Sequence, residues 1–266
     1  MNADQPFNAL RKCRHGYMIF NRFDTVVGRS LELYGEYAES ANAVYSQMIK
    51  PGSLVLDIGA HIGVHTVYLA QAVGPEGRVL AFEPQRILFQ TLCGNLALSN
   101  IRNAHCWNMA VGAQAGTITL PPFDCLQPEQ IAGAPLGIDA DDEELDSVPL
   151  ITIDSLKLPQ CHLINIGTDG METDILAGAR QTIEQFKPII YIECHRTKAE
   201  PQLLSSLAEL GYLLHWHETK LFNDENFDEN SENVFADQGA QNLLCFDKNA
   251  QTQLTGFTQV DLPEAA

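Results

Sequence analysis

The chain has 266 residues, 45% of them apolar, enough for one large α/β domain or two small ones. Its 34 acids against 16 lysines and arginines give a formal charge of −18. That argues against nucleic acid as the main partner, because phosphate binding needs clustered basic side chains. The first 52 residues form a lead-in. A short strand is expected over 17–20, a turn over 24–28, and a helix or helix pair from 31 to 49, ending at Pro51-Gly52. This segment either lies across the mouth of the sheet as a lid or packs on the sheet as a cap. The core begins at residue 53 with the apolar run Leu54, Val55, Leu56. A helix with Val64, Val67 and Tyr68 on one face follows and stops at Gly74-Pro75. A second strand spans 78–82, Pro84 opens a helix that ends at Asn100, and a third strand spans 104–108.

A hairpin arm is expected near 117–120. Residues 121–147 then break the rhythm with prolines, glycines and the run Asp139 to Asp146. The spacing fits either an acidic insert or a lid over the ligand end of the sheet. A short strand over 150–153 ends at Asp154, and Leu163–Ile166 makes the fourth main strand. Asp169 and Glu172 read as the N-cap and third residue of a capping box. Ile189 to Ile192 forms strand five, followed by Glu193-Cys194-His195. A helix over 201–210, a strand over 212–217, a polar loop over 223–233 and a last strand over 242–246 complete the domain at 248. Residues 249–266 read as a loosely held tail. The alternation of strands and helices predicts a mostly parallel, doubly wound sheet, with the last two strands as an antiparallel pair at one edge.

Seven cysteines are scattered without a C-x-x-C, which fits reduced thiols and a cytoplasmic protein. The first residues show no apolar leader, and no apolar run approaches the ~20 residues a membrane span needs, so no membrane partner is expected.

The stretch Ser53–Thr66, SLVLDIGAHIGVHT, carries the chemistry. It reads as a strand, a glycine turn and a helix start, the place where open α/β sheets bind ligands. The N–H groups of the following helix favour a carboxylate or phosphate. The glycines, Gly59 and Gly63, do not make a dinucleotide G-x-G-x-x-G. A second acid, Glu83, ends the next strand, where it can accept both ribose hydroxyls of an adenosine. An Asp57-x-Gly59-x-x-x-Gly63 bend followed by such an acid looks like the S-adenosylmethionine (SAM) site of class I methyltransferases. The alternative is a glycine turn in an ordinary α/β domain.

Further blocks extend the likeness. They are LYGEY at 33–37, LDIGAHIGVHTVYLA at 56–70, VGPEGRVLAFEP at 73–84, AVG at 110–112, ITIDSL at 151–156, DGMETDILAGA at 169–179, PIIYIE at 188–193, ENVF at 232–235 and NLLCF at 242–246. Together they resemble the FkbM family of SAM-dependent methyltransferases over roughly residues 15–247. The resemblance implies a class I Rossmann-like fold with a mostly parallel seven-stranded sheet, helices on both faces and an antiparallel edge pair. It implies SAM as donor and S-adenosylhomocysteine as product, with Tyr34, Glu36, Asp57, Gly59, Ala60, His61, Gly63, His65, Glu83, Met109 and Ala110 at the cofactor. His65 either bonds the donor's carboxylate or faces solvent. The resemblance implies methyl transfer to a hydroxyl of a small metabolite, sugar or polyketide.

One block departs from the family pattern. Where the family has Lys-Ile-Asp-Val-Glu-Gly-x-Glu, this chain has Asn165-Ile166-Gly167-Thr168-Asp169-Gly170-Met171-Glu172. A charged pair is missing from the tip of strand four. This opens three alternatives: a relocated base on a hydroxyl acceptor, N-methylation of an amine or peptide amide, or SAM binding without catalysis. The candidate bases are His195, whose ordinary pKa suits proton transfer, and Asp169. Asp154, Asp169 and Glu193 sit near strand ends, and His215 and His217 share a strand face. The three acids could hold Mg²⁺ and the histidines could start a two-ligand site, but neither set has diagnostic metal-ligand spacing, so structural roles are expected and metal use stays open.

Overall fold

The computed structural model describes residues 6–120, 124–127, 146–193, 201–236, 238–250 and 257–260. Almost all of the acidic insert at 121–147, and His195, lie outside the described residues. The chain opens with an antiparallel hairpin, β1 (Asn8–Cys13) and β2 (Gly16–Asn21), then helices α1 (Val27–Tyr34) and α2 (Glu39–Met48). The expected helix is thus a pair. Gly35 ends α1 in the left-handed region at φ 67°, where its N–H closes the last turn on Leu31.

The core units follow: β3 (Leu54–Ile58), α3 (Val64–Ala72), β4 (Arg78–Phe82), α4 (Arg86–Leu98) and β5 (Ala104–Trp107). A small three-stranded sheet of β6 (Ala110–Val111), β7 (Gly116–Thr119) and β8 (Ser147–Ile151) sits beside them in the order β6-β8-β7. A 3-10 turn, Ile153–Leu156, leads to β9 (Leu163–Ile166), α5 (Glu172–Ala177), α6 (Arg180–Phe186) and β10 (Ile189–Ile192). The last described elements are α7 (Pro201–Glu209), β11 (Tyr212–Lys220), β12 (Gly239–Asp247) and β13 (Thr258–Gln259).

The main sheet has the order β13-β11-β12-β10-β9-β3-β4-β5. The strands from β10 to β5 are parallel, and β12, β11 and β13 add antiparallel. The expected parallel core and antiparallel edge are present. The sheet has eight strands rather than seven, because Thr258–Gln259 of the tail pairs with His215 and Trp216. The chain runs outward from β3 to β4 and β5, then returns to β9 on the other side of β3. The order therefore reverses between β3 and β9, and a crevice opens at the carboxyl ends of such strands.

Strands covered on both faces read as apolar runs, which is why β3, β4, β9 and β10 carry so few polar residues. Leu56, Ile58, Ile164, Ile166, Ile190 and Ile192 pack against Ile175, Leu176, Ile183 and Leu207. On the opposite face Val55, Leu163, Tyr191 and Leu244 pack against Ala41, Val44 and Tyr45 of α2 and Leu69 and Val73 of α3. The hairpin docks on α4 through Met18 and Phe20 against Leu88, Leu92 and Leu96. Asn95 seals that junction. Its amide accepts from Ile19 N at 2.6 Å and donates to the carbonyls of Ile19 and Ile62 at 3.0 and 2.8 Å.

The expected capping box differs in detail. Gly170 turns the chain at φ 85° and leaves Asp169 exposed, so α5 starts at Glu172 with no side-chain cap before it. The Glu172 carboxylate alone folds back, accepting from Gly170 N at 3.0 Å.

Ile164 lies in the central strand with no exposed surface. Truncation to alanine removes a branched side chain from a layer that cannot collapse around it, so Ile164→Ala lowers unfolding stability by about 2–5 kcal/mol in urea titrations, with unchanged slope.

Candidate active site

Gly59 and Gly63 stand where only glycine fits. Both have left-handed φ, 76° and 84°. A Cβ on Gly59 would collide with the carbonyl of Gly167, and one on Gly63 with the side chain of Leu92. The first glycine thus lets β3 and β9 close at the crevice, and the second lets α3 pack on α4. Gly59 N and Ala60 N donate to Phe82 O at 2.9 and 3.0 Å. His61 takes φ 52°, and its N–H donates to Glu83 Oε2 at 2.8 Å. Glu83 Oε1 accepts from Gln85 N at 2.8 Å. Glu83 is 4% exposed, and burial pushes its pKa up while the two backbone bonds and the His61 side chain pull it down. Gly63 offers α3 no side-chain cap, so the first-turn N–H groups face the crevice end without one.

Asp57, next to last in β3, is fully enclosed. Thr66 Oγ1 donates to its Oδ2 at 2.6 Å, and Asn165 Nδ2 to its Oδ1 at 2.9 Å. Asn165 Oδ1 accepts from Tyr45 Oη at 2.9 Å. One amide therefore ties β3, β9 and α2 together. Burial raises the Asp57 pKa, opposed by the Thr66 and Asn165 bonds.

His65, in the first turn of α3, is buried rather than solvent-facing. Its Nδ1 lies 3.1 Å from Asn42 Oδ1, and its Nε2 3.5 Å from Glu193 Oε1. Asn42 is itself oriented, because its Nδ2 donates to Glu39 Oε2 at 3.0 Å and so turns its carbonyl toward His65. Burial lowers the His65 pKa. Glu193 directly follows β10 as Glu83 follows β4, and 30% of its side chain is open. Its pKa is pushed up to about 7, mainly by desolvation.

The structure thus brings Asp57, Gly59, Ala60, His61, Gly63, His65 and Glu83 together at the switch point. Met109 and Ala110 follow β5 on the adjoining edge. Ala110 is buried against Leu120 and Val148, and Asn108 just before them donates to the carbonyls of Glu83 and Pro84. Tyr34 and Glu36 are engaged elsewhere. Tyr34 Oη donates to Glu232 O at 2.9 Å and accepts from Val234 N at 3.0 Å. Glu36 accepts from Arg14 Nε, Asn223 Nδ2 and Phe227 N. Both anchor the 222–235 loop.

The weak metal trio is taken apart. Asp154 caps α6, accepting from Gln181 N, Thr182 N and Thr182 Oγ1. His217 Nδ1 is within 2.8 Å of Tyr191 Oη. No group of three metal-ligating side chains occurs among the described residues. Sequence reasoning missed Asn165 as a hub and considered Glu193 only for metal. Both had a signal: a lone amide in the apolar strand LINI, and an acid ending an apolar strand.

Such a reversal of strand order, with acids at the strand ends and a glycine bend between them, defines a nucleoside-binding α/β fold of the Rossmann-like methyltransferase class. The chain belongs to the FkbM methyltransferase family: the methyltransferase FkbM domain matches residues 57–214. It is similar to methyltransferase sdnD of Sordaria araneosa, 31% identical over 70 residues, which cover 26% of this chain and 27% of the relative. The match thus spans about a quarter of that relative's length. Among solved structures, Trm5b from Pyrococcus abyssi shares the fold with a TM-score of 0.50 and 10% identity, covering 92% of this chain and 56% of that one. The methyltransferase FkbM of Methylobacillus flagellatus aligns with a TM-score of 0.47 and 15% identity, over 76% of this chain and 50% of that one.

At Gly59 both φ and a backbone neighbour forbid a side chain. Gly59→Ala therefore costs about 1–3 kcal/mol of stability by chemical unfolding, because no side-chain movement relieves a clash with a carbonyl.

Proposed function

We propose that the chain transfers a methyl group from SAM to a hydroxyl of a small metabolite, sugar or polyketide-like acceptor. The observation that carries this reading is the convergence of Asp57, Glu83 and the Gly59–Gly63 bend at the crevice between β3 and β9. The groups present fit the donor. The first turn of α3 has no side-chain cap, and its N–H groups suit an amino-acid carboxylate. Glu83 keeps lone pairs beyond those used by His61 N and Gln85 N, and these suit ribose hydroxyls. Glu83, Asp57 and Glu193 all have pKa values raised by burial, so each is stabilised as an anion by a sulfonium. Met109 and Ala110, just past β5, lie where the adenine of a donor with its ribose on Glu83 would rest.

SAM supplies an activated methyl group for in-line displacement. The chain's residues align the acceptor, exclude water and take up one proton at the strand tips. Gly167 and Asn165, in place of the family's acid and lysine, support one competitor, an amine acceptor that needs no base.

Labelled SAM and a panel of hydroxylated and amine metabolites separate these readings. Acceptor-dependent S-adenosylhomocysteine with O-methyl products is expected. N-methyl products alone would replace the hydroxyl reading, and no turnover would leave only donor binding. For the donor site, Glu83→Ala and Glu83→Gln weaken SAM binding by about 10- to 100-fold in calorimetry, the range for losing hydrogen bonds to a charged acceptor. Unchanged affinity in both variants would displace the sugar from Glu83.

A further inference from the structure

We propose that Glu193 is the residue that takes the acceptor's proton, and that arrival of the cationic donor arms it. This rests on the donor-binding reading above and deepens it. The geometry starts at Gly167. Its carbonyl abuts Gly59 of the donor bend, and a Cβ built on it would lie 3.6 Å from the Glu193 carboxyl. The side chain that the family pattern places there is absent, so the Glu193 carboxyl faces the space beside the bend. No lysine stands on the neighbouring strand, because position 165 is asparagine.

The contacts on the other side define which atoms hold protons. Asn42 presents its carbonyl to His65, since Glu39 holds its NH2 group. His65 therefore carries its proton on Nδ1, and its unprotonated Nε2 stands 3.5 Å from Glu193 Oε1. A neutral histidine with Nε2 unprotonated brings no positive charge to hold a carboxylate there. That arrangement suits a protonated Glu193, consistent with a pKa near 7.

Groups from every packed element bear on this titration. Asn165 of β9 and the His61 side chain favour the anion, and Asp169 opposes it. Asp57 of β3 lies close enough to shift with it, as do Tyr37 and Tyr45 around α2. A sulfonium within about 4–6 Å would lower a carboxyl pKa by about 1–3 units. Donor binding thus drives the proton off Glu193 to solvent and leaves a base facing the acceptor. In the transfer the acceptor oxygen bonds the methyl carbon as the carbon–sulfur bond breaks. That electron pair stays on sulfur, giving S-adenosylhomocysteine. The hydroxyl proton passes to Glu193 and then to water.

The test needs no known acceptor at first. Calorimetry of SAM and of S-adenosylhomocysteine, in buffers of different ionisation enthalpy at pH 7, counts protons. SAM is expected to release about half a proton more than S-adenosylhomocysteine, the ionisation of a group half-protonated at that pH. Glu193→Gln abolishes this difference and weakens SAM binding at pH 7 by about fivefold or more, the counterpart by linkage of a carboxyl pKa lowered by about 1–3 units. With the hydroxylated acceptor from the panel, Glu193→Gln lowers kcat about 100-fold or more and removes the rise of kcat with pH. Glu193→Asp keeps both the proton release and the pH limb at reduced kcat, and it carries the test if the glutamine variant fails to fold. Equal proton counts for the two ligands, or a difference that survives Glu193→Gln, overturn the proposal. So does a Glu193→Gln kcat within about threefold of wild type. Absence of SAM binding to the wild-type chain would overturn the donor reading itself, and this proposal with it.

Discussion

The bonds from Asn165 to Asp57 and Tyr45 are the constraint on which the crevice depends. A carboxylate as enclosed as Asp57 is costly unless its oxygens find donors. Thr66 supplies one from α3 and Asn165 another from β9, so the two elements flanking the bend cannot part without stranding it. Asn165 in turn accepts from Tyr45, which fixes α2 over the sheet. A partly satisfied polar network inside a protein is worse than an apolar one, whereas a satisfied one specifies a single arrangement. The lead-in helix is thereby tied to the chemistry at the strand ends, and Tyr45 also meets the His65 ring edge-on at 5.6 Å.

The parallel core was readable because its strands are covered on both faces and therefore apolar throughout. Their acids then stand out at the ends, as Asp57 and Glu83 did. Gly59 and Gly63 were visible as glycines, but their partners were not. That one meets Gly167 and the other Leu92 depends on β9 and α4 arriving from positions 108 and 29 residues along the chain. Spacing within a motif carries no information about such approaches. Tyr34 and Glu36 show the reverse limit. Their place in a family block suggested the cofactor, yet the 222–235 loop, distant in sequence, claims their polar atoms. The short strand at Thr258–Gln259 was invisible, since two exposed residues have no periodicity to detect.

The overall charge and the local charge at the strand ends point in one direction. With a formal charge of −18, the chain attracts cations at long range. At short range the enclosed carboxylates resist ionising because water is excluded. A positively charged ligand in the crevice relieves that resistance, whereas a neutral or anionic one does not. Under the proposed reading, the same desolvation that raises the carboxyl pKa values favours a sulfonium over its neutral thioether product.

The departure at strand four follows from the energetics of buried ions. Removing one member of a buried charged pair strands the other, at a cost of several kcal/mol, about 3–5 where one partner is lost. Relative to the family pattern, this chain lacks both the lysine at 165 and the acid at 167, so neither is stranded. The amide that stands at 165 still donates to Asp57, keeping the structural tie while carrying no charge. Glu193 has Asn165 and the buried His65 at its flank, and desolvation pushes its pKa up to about 7. The two departures are therefore coupled: the amide at 165 keeps the β3–β9 junction, and under the proposed mechanism the titratable group of the strand tips lies just past β10.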